Sequence, residues 1–224
     1  MKVKLDDYTL TVLNSFSGIN NSIVINAGNE LRTMPESKTI LAEAIVPTNF
    51  DKTFGIYDLR KFLGCLSLCI NPEVEFFENY LEIYSQNGNS IKYVYTDPAR
   101  IVTPATKRIN IAQADIQFNL SSDTLKDVNK ACGVLSVEDI MFSSSDRKIK
   151  VTVLDKNDPT SNSASFDVEG ETNETFVAYI KNTNMKLIPG DYEVFLSSRG
   201  ISLFESKTNK GLKYYIAVES DSSF

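Results

Sequence analysis

PEVEFFENYLEIY occupies residues 72–84, and YEVFLSSRGISLF occupies residues 192–204, so the two stretches align at an offset of 120. Each reads as aromatic-rich strands around a turn. Working outward, FGIYDL (54–59) recurs as FVAYIK (176–181), and IKYVY (91–95) returns as LKYYI (212–216) at an offset of 121. Phe and Tyr favour strands in any protein, so the shared residues alone decide little. The shared order does more: each copy runs helix, hairpin strands, strand, short helix, then three strands. The chain therefore reads as an internal duplication. The break falls in TDPARIVTPATKR (96–108), where two prolines and several polar residues make a natural linker. The expected domains are 1–97 and 109–224, joined by a linker over 98–108.

Strands dominate the rest. Further β-rich runs are NSIVINA (21–27), TILAEAIV (39–46), YLEIY (80–84), SIKYVY (90–95), INIAQADIQFN (109–119), EDIMFSS (138–144), KIKVTVL (148–154), ASFDVE (164–169) and DYEVFLS (191–197). Turn residues separate them, and QNGNS is a good hairpin candidate. Only four helices fit. The first covers 6–17, capped by Asp6 or Asp7, with Leu10, Leu13, Phe16 and Val12 apolar. The second covers 58–68, capped by Asp58, with Leu59, Phe62, Leu63 and Leu66 inward. The third, SSDTLKDVNKACG (121–133), turns Leu125, Val128 and Cys132 to one side and Lys126 and Lys130 to the other. The fourth is one short turn or two over 182–187. The expected fold class is α+β, strand-dominated, with two similar domains.

Composition narrows the function. The chain has 224 residues, 42% of them apolar, which suits a globular protein. No apolar run is long enough to span a membrane, and the N-terminus has no signal-peptide h-region. Three cysteines, an odd and sparse set, point to a reducing compartment. Cys65 and Cys69 stand four apart on a helix, but no second cysteine pair and no histidine accompany them, so buried thiols are the better reading and no metal or cofactor is expected. Without histidine, imidazole-based nucleophilic catalysis is excluded. Phosphate-binding and dinucleotide-binding glycine motifs are missing as well. Carboxylate clusters such as Glu73, Glu75 and Glu78 suit solvated faces. No enzyme is expected.

Charge is sorted unevenly. The formal net charge is −6, yet Arg60, Lys61, Lys126, Lys130, Lys181 and Lys186 all lie on or beside expected helices. Lysines opposite an apolar stripe are ordinarily a solvated face, so the pattern alone does not name a ligand.

FGIYDLRKFLGCLSL (54–68), NMKLIPGDYEVFL (184–196) and YYIAVESDSSF (214–224) resemble the DNA sliding clamps of T-even-like tailed phages. A more distant likeness is to proliferating cell nuclear antigen. The similarity runs from the first helix to the last residue. It implies a duplicated clamp fold assembled head to tail as a homotrimeric ring, with strands outside and helices lining a central hole that encircles duplex DNA. It further implies an ATP-driven clamp loader, a polymerase bound through its C-terminal peptide, a link to late transcription factors, and action inside the host-cell cytoplasm. The six basic residues would then face DNA, where phosphate contacts permit sliding because they carry no sequence information. The first helix, with Tyr8, Thr11, Asn14 and Ser15 outward, departs from this by lacking basic residues.

The clamp pattern also implies two surfaces. Subunits would join through SIKYVY, with Lys92 and Tyr93, and ASFDVE, with Phe166 and Asp167. A partner pocket would be walled by Met34, Thr39 and Leu41, by Ile101 and Val102 of the linker, and by Tyr215, Ala217 and Val218. Ile101 and Val102 form an apolar pair in a polar crossing, which either meets a partner or staples the linker to its domain. The competing expectation is a duplicated β-rich structural virion component, which would have no reason to sort basic charge onto helices.

Overall fold

The computed structural model describes residues 2–111 and 114–224. The chain divides into two compact units, Met1–Ala105 and Thr106–Phe224. Unit 1 runs β1 (Lys2–Val3), α1 (Asp7–Ile19), β2 (Ile23–Ile25), β3 (Gly28–Thr33), β4 (Ile40–Phe50), β5 (Phe54–Ile56), α2 (Leu59–Ser67), β6 (Glu73–Phe76), β7 (Tyr80–Tyr84) and β8 (Ser90–Val94). Unit 2 runs β9 (Ile116–Leu120), α3 (Ser122–Leu135), β10 (Asp139–Ser145), β11 (Lys148–Leu154), β12 (Ala164–Glu171), β13 (Val177–Lys181), a 3-10 turn (Asn182–Asn184), β14 (Tyr192–Ser197), β15 (Ile201–Ser206) and β16 (Lys213–Ala217).

The duplication is visible in the pairing. Unit 1 orders four strands as β1-β6-β7-β8, and unit 2 orders four as β9-β14-β15-β16, all antiparallel. The quoted stretches at 72–84 and 192–204 are the β6–β7 and β14–β15 hairpins at the centre of those two sheets. The remaining strands follow suit: β13-β10-β11-β12 in unit 2 matches the pairs β5-β2 and β3-β4 in unit 1. The short helix after β13 is reduced to the single turn at Asn182–Asn184.

Each α-helix starts where its sequence offers a cap. The side chains of Asp6, Asp58 and Ser121 accept from the N–H groups of Thr9, Lys61 and Thr124 at 2.9, 2.9 and 3.0 Å, satisfying donors that a helix start leaves open. α3 ends at Ser136, which adopts left-handed backbone at φ 56°. The cores are aromatic and aliphatic. Phe16, Leu13, Ile56 and Leu59 are fully buried in unit 1; Phe142, Phe176 and Phe204 are fully buried in unit 2. Tyr192 and Tyr214 are buried too, and Ile188 serves both hydroxyls. Its carbonyl accepts from Tyr192 at 2.5 Å, and its N–H donates to Tyr214 at 3.1 Å, as buried phenols require.

Several elements differ from the sequence reading, among them β1 and β3, which lie where no strand is expected. β4 runs past Val46 and Pro47 to Phe50, because the pairing with β3 shifts register between Gly28 and Glu30. The proline sits in that irregular stretch, where its missing N–H is tolerated. INIAQADIQFN yields a strand only over Ile116–Leu120; 109–111 are not strand, and 112–113 lie outside the described residues. Leu63 is only half-buried, because it borders an apolar groove of about 490 Å3 between α1 and α2, shared with Leu10, Leu66 and Pro72.

Candidate functional site

On α3, Leu125, Val128 and Cys132 are buried, and Lys126 and Lys130 are exposed on the opposite side. Burial among apolar neighbours raises the Cys132 thiol pKa, so this sulfur is packing material. Lys126 meets Asp123 at 3.1 Å, but both side chains are well exposed, so the pair is weak and leaves the charge available. On α2, Arg60 and Lys61 are exposed on the first turn. α1 presents Thr11 and Asn14 to solvent.

The other two basic positions flank the 3-10 turn at Asn182–Asn184. Lys181 ends strand β13. Its Nζ lies 2.7 Å from Oδ1 of Asp139, whose side chain is 2% exposed. That hydrogen bond, with the carboxylate's charge, raises the lysine pKa. The backbone N–H of Lys156 donates to the other Asp139 oxygen at 3.2 Å. A buried carboxylate needs such partners, so the Lys181 charge is committed inside unit 2. Lys186 follows the 3-10 turn in an exposed stretch that is neither helix nor strand.

Two strand edges matter next. β8 is the outermost strand of its sheet, with β7 on one side. Tyr95 N donates to Asn79 O. By alternation the amides of Tyr93 and Ile91 also point to β7, and those of Lys92 and Val94 point to the open edge. The Tyr93 ring packs edge-on against Phe62 at 5.4 Å, and its hydroxyl donates to Asp58 O at 3.0 Å. Tyr93 therefore ties β8 to α2. Lys92 stands over the Tyr80 ring at 4.1 Å, and Val94 is 64% exposed. In unit 2, β12 pairs with β11 along most of its length but with β9 only at Glu169 and Asn119. Its earlier residues, Ala164–Asp167, have no ladder partner on the β9 side among the described residues. Phe166 is half-buried there, and Asp167 is exposed with Lys150 at 3.8 Å.

The residues expected to wall a partner pocket occupy both units, and each is described in its own. In unit 1, Met34, Thr39 and Val102 are half-buried, and Leu41 and Ile101 are buried. The linker's start is stapled down. Thr96 N donates to Gly55 O at 2.9 Å. A Cβ on Gly55 would meet Thr96 O at 2.6 Å and Ile101 Cδ1 at 3.1 Å, so only glycine admits this approach. Further on, Arg32 Nη1 donates to Ala105 O at 2.9 Å, and its Nε forms an ion pair with Glu43 at 3.3 Å. Val102 borders a cleft of about 320 Å3 with Asn20, Glu36, Tyr57 and Arg100. Tyr57, 68% exposed, was not singled out from the sequence; its place in a strand-like run hid it. In unit 2, Tyr215 and Val218 are buried and Ala217 is half-buried.

No family model matches the chain. Curated relatives do. The chain is 29% identical over 224 residues to the sliding clamp of Vibrio phage KVP40, covering 97% of this chain and 100% of that protein. It is 27% identical over 235 residues to the sliding clamp of Enterobacteria phage T4, covering 99% of each. Among solved structures, proliferating cellular nuclear antigen from Entamoeba histolytica superposes with a TM-score of 0.70 at 16% identity, over 97% of both chains. The PCNA2–PCNA3 complex from Sulfolobus tokodaii matches with a TM-score of 0.71 at 14% identity, over 98% of this chain and 99% of that one. These structures share the chain's fold.

Proposed function

We infer that this chain is a DNA sliding clamp of the tailed-phage kind, a binding ring that tethers the replicative polymerase to duplex DNA and performs no chemistry itself. The observation that carries this reading is the end-to-end similarity to phage sliding clamps in a chain whose two units repeat one strand order.

The ring forms from three copies joined head to tail, which requires two different edges per protomer. The open edge of β8 and the unpaired start of β12 supply them, and their union hides both from stray pairing. Lys92 on one edge and Asp167 on the other are complementary in charge. Arg60, Lys61, Lys126 and Lys130 face the DNA phosphates, with Lys186 beside them. Lys181, held by Asp139, serves this face least. Phosphate contacts are sequence-independent and exchange with counterions, so the ring slides. The net acidity of the rest keeps nucleic acid off other surfaces. An ATP-driven loader opens and closes the ring, and polymerase and late-transcription partners dock by short peptides, all within the host-cell cytoplasm.

The test couples mass to activity. Light scattering after size exclusion should give a trimer. The same material, with its loader and ATP, should lengthen the products of the cognate polymerase on primed circular DNA. A hexamer or polymer without polymerase stimulation would instead support the structural virion component.

A further inference from the structure

β13 is an edge strand, with β10 on one side. Alternate residues of a strand present their N–H and C=O to opposite edges. Phe176 O accepts from Ser144 N on the β10 side, so Val177 and Tyr179 face outward. The segment Glu219–Phe224 lies along that outer edge and satisfies all four of these groups. Val177 and Ser223 exchange both backbone bonds, at 2.9 and 2.7 Å; Tyr179 O accepts from Glu219 N at 2.9 Å; Tyr179 N donates to Ser222 Oγ at 3.0 Å. Two side-chain contacts anchor it. Lys156 Nζ lies 2.9 Å from Asp221 and 3.7 Å from Glu219, and the Phe224 ring stacks over the buried Phe176 at 6.2 Å.

This attachment is complete in its hydrogen bonds but thin in buried area. It includes one isolated bridge pair, Val177 with Ser223. Asp221 is 52% exposed as a side chain and Phe224 is 37% exposed. Elements with few buried apolar contacts open at a small fraction of the global unfolding free energy. Beneath the segment lies an assembled peptide site: an open strand edge, a cation poised for a carboxylate, and an aromatic floor. Each belongs to unit 2.

We propose that Glu219–Phe224 is a displaceable resident of a β-augmentation site on the β13 edge, and that the site accepts an extended peptide of a protein partner carrying a carboxylate three residues before an aromatic. The resident itself specifies that chemistry, Asp221 with Lys156 and Phe224 with Phe176. Main-chain bonds supply affinity in such sites and side-chain pockets supply specificity. A tethered segment competes at an effective concentration on the order of millimolar, so the resident masks the edge until a partner outcompetes it.

The test uses the full chain carrying Ser223→Pro and Phe224→Ala. These remove the resident's bond to Val177 O and its ring, and leave Lys156, Phe176 and the β13 edge intact. The probe is a fluorescein-labelled peptide of residues 218–224. By anisotropy the altered chain should bind it about tenfold or more tighter than the unaltered chain. Asp221→Ala or Phe224→Ala in the peptide, or Lys156→Ala in the altered chain, should remove that gain. Equal binding by both chains, equal binding of a scrambled peptide, or no binding by the altered chain overturns the proposal. A second readout needs no variant. In the unaltered chain the Val177 amide should exchange hydrogen faster than the Ala178 amide, which faces β10. Equal, slow exchange of the two would mean that the segment does not open, and the proposal falls.

Discussion

Lys126 and Lys130 stand one turn apart on α3, both in solvent. If they meet phosphates, reversing both to Glu should flatten the salt dependence of clamp retention on circular DNA. The slope of log affinity against log salt should fall by roughly 2 for each protomer engaged. The trimer mass should not change. An unaltered slope would remove these lysines from the DNA face. Lys181 makes the opposite case. Its partner Asp139 is buried, so Asp139→Asn weakens a charge-assisted hydrogen bond and should destabilise unit 2 by about 2 kcal/mol, read by urea denaturation. Lys181→Ala should likewise lower stability more than it lowers DNA retention. The raised lysine pKa sets the sign with pH. The pair's contribution is full below the lysine's ordinary range and is lost as pH rises through the elevated folded value.

At the scale of elements, the open edges decide assembly. The amide of Lys92 points away from β7, and that of Tyr93 points toward it. A proline at Lys92 should therefore leave the β7–β8 pairing intact and remove a donor needed by the neighbouring protomer. Light scattering should report monomers with an unchanged circular-dichroism spectrum. A proline at Tyr93 should instead damage unit 1 itself, since it breaks the internal ladder and displaces the ring that packs on Phe62. If the Lys92 variant remains a trimer, the subunit contact lies on another edge.

At the scale of the whole molecule, partner docking is tested best where a side chain is open to an incoming group. Ile101 is a staple of unit 1, and a charge there would unseat the linker. Val102 and Ala217 are half-buried. Val102→Asp and Ala217→Asp should each weaken a peptide from the cognate polymerase's C-terminus tenfold to hundredfold, about 1–3 kcal/mol, measured by anisotropy with the trimer intact. Unchanged affinity in both would place the docking surface elsewhere.

The duplication, the three helix starts and the buried side of α3 were legible in the chain itself. Each rests on local rules: a two-residue or 3.6-residue period, a side chain that caps its own helix, a turn that needs glycine. The lysines of α2 and α3 were legible for the same reason, because a helix fixes which residues share a face. What lay beyond the sequence depended on distant partners. Lys181 stands beside a helical turn as the sequence suggests, but its bond to Asp139, 42 residues away, lay outside any local pattern. The linker pair Ile101 and Val102 was ambiguous until Gly55 offered the first a seat. Tyr93 lies in a strand as SIKYVY implies, but only the register with β7 showed which way its amide points. Periodicity is a property of neighbours along the chain, whereas ion pairs, strand register and the occupation of an edge are set by residues that only folding brings together.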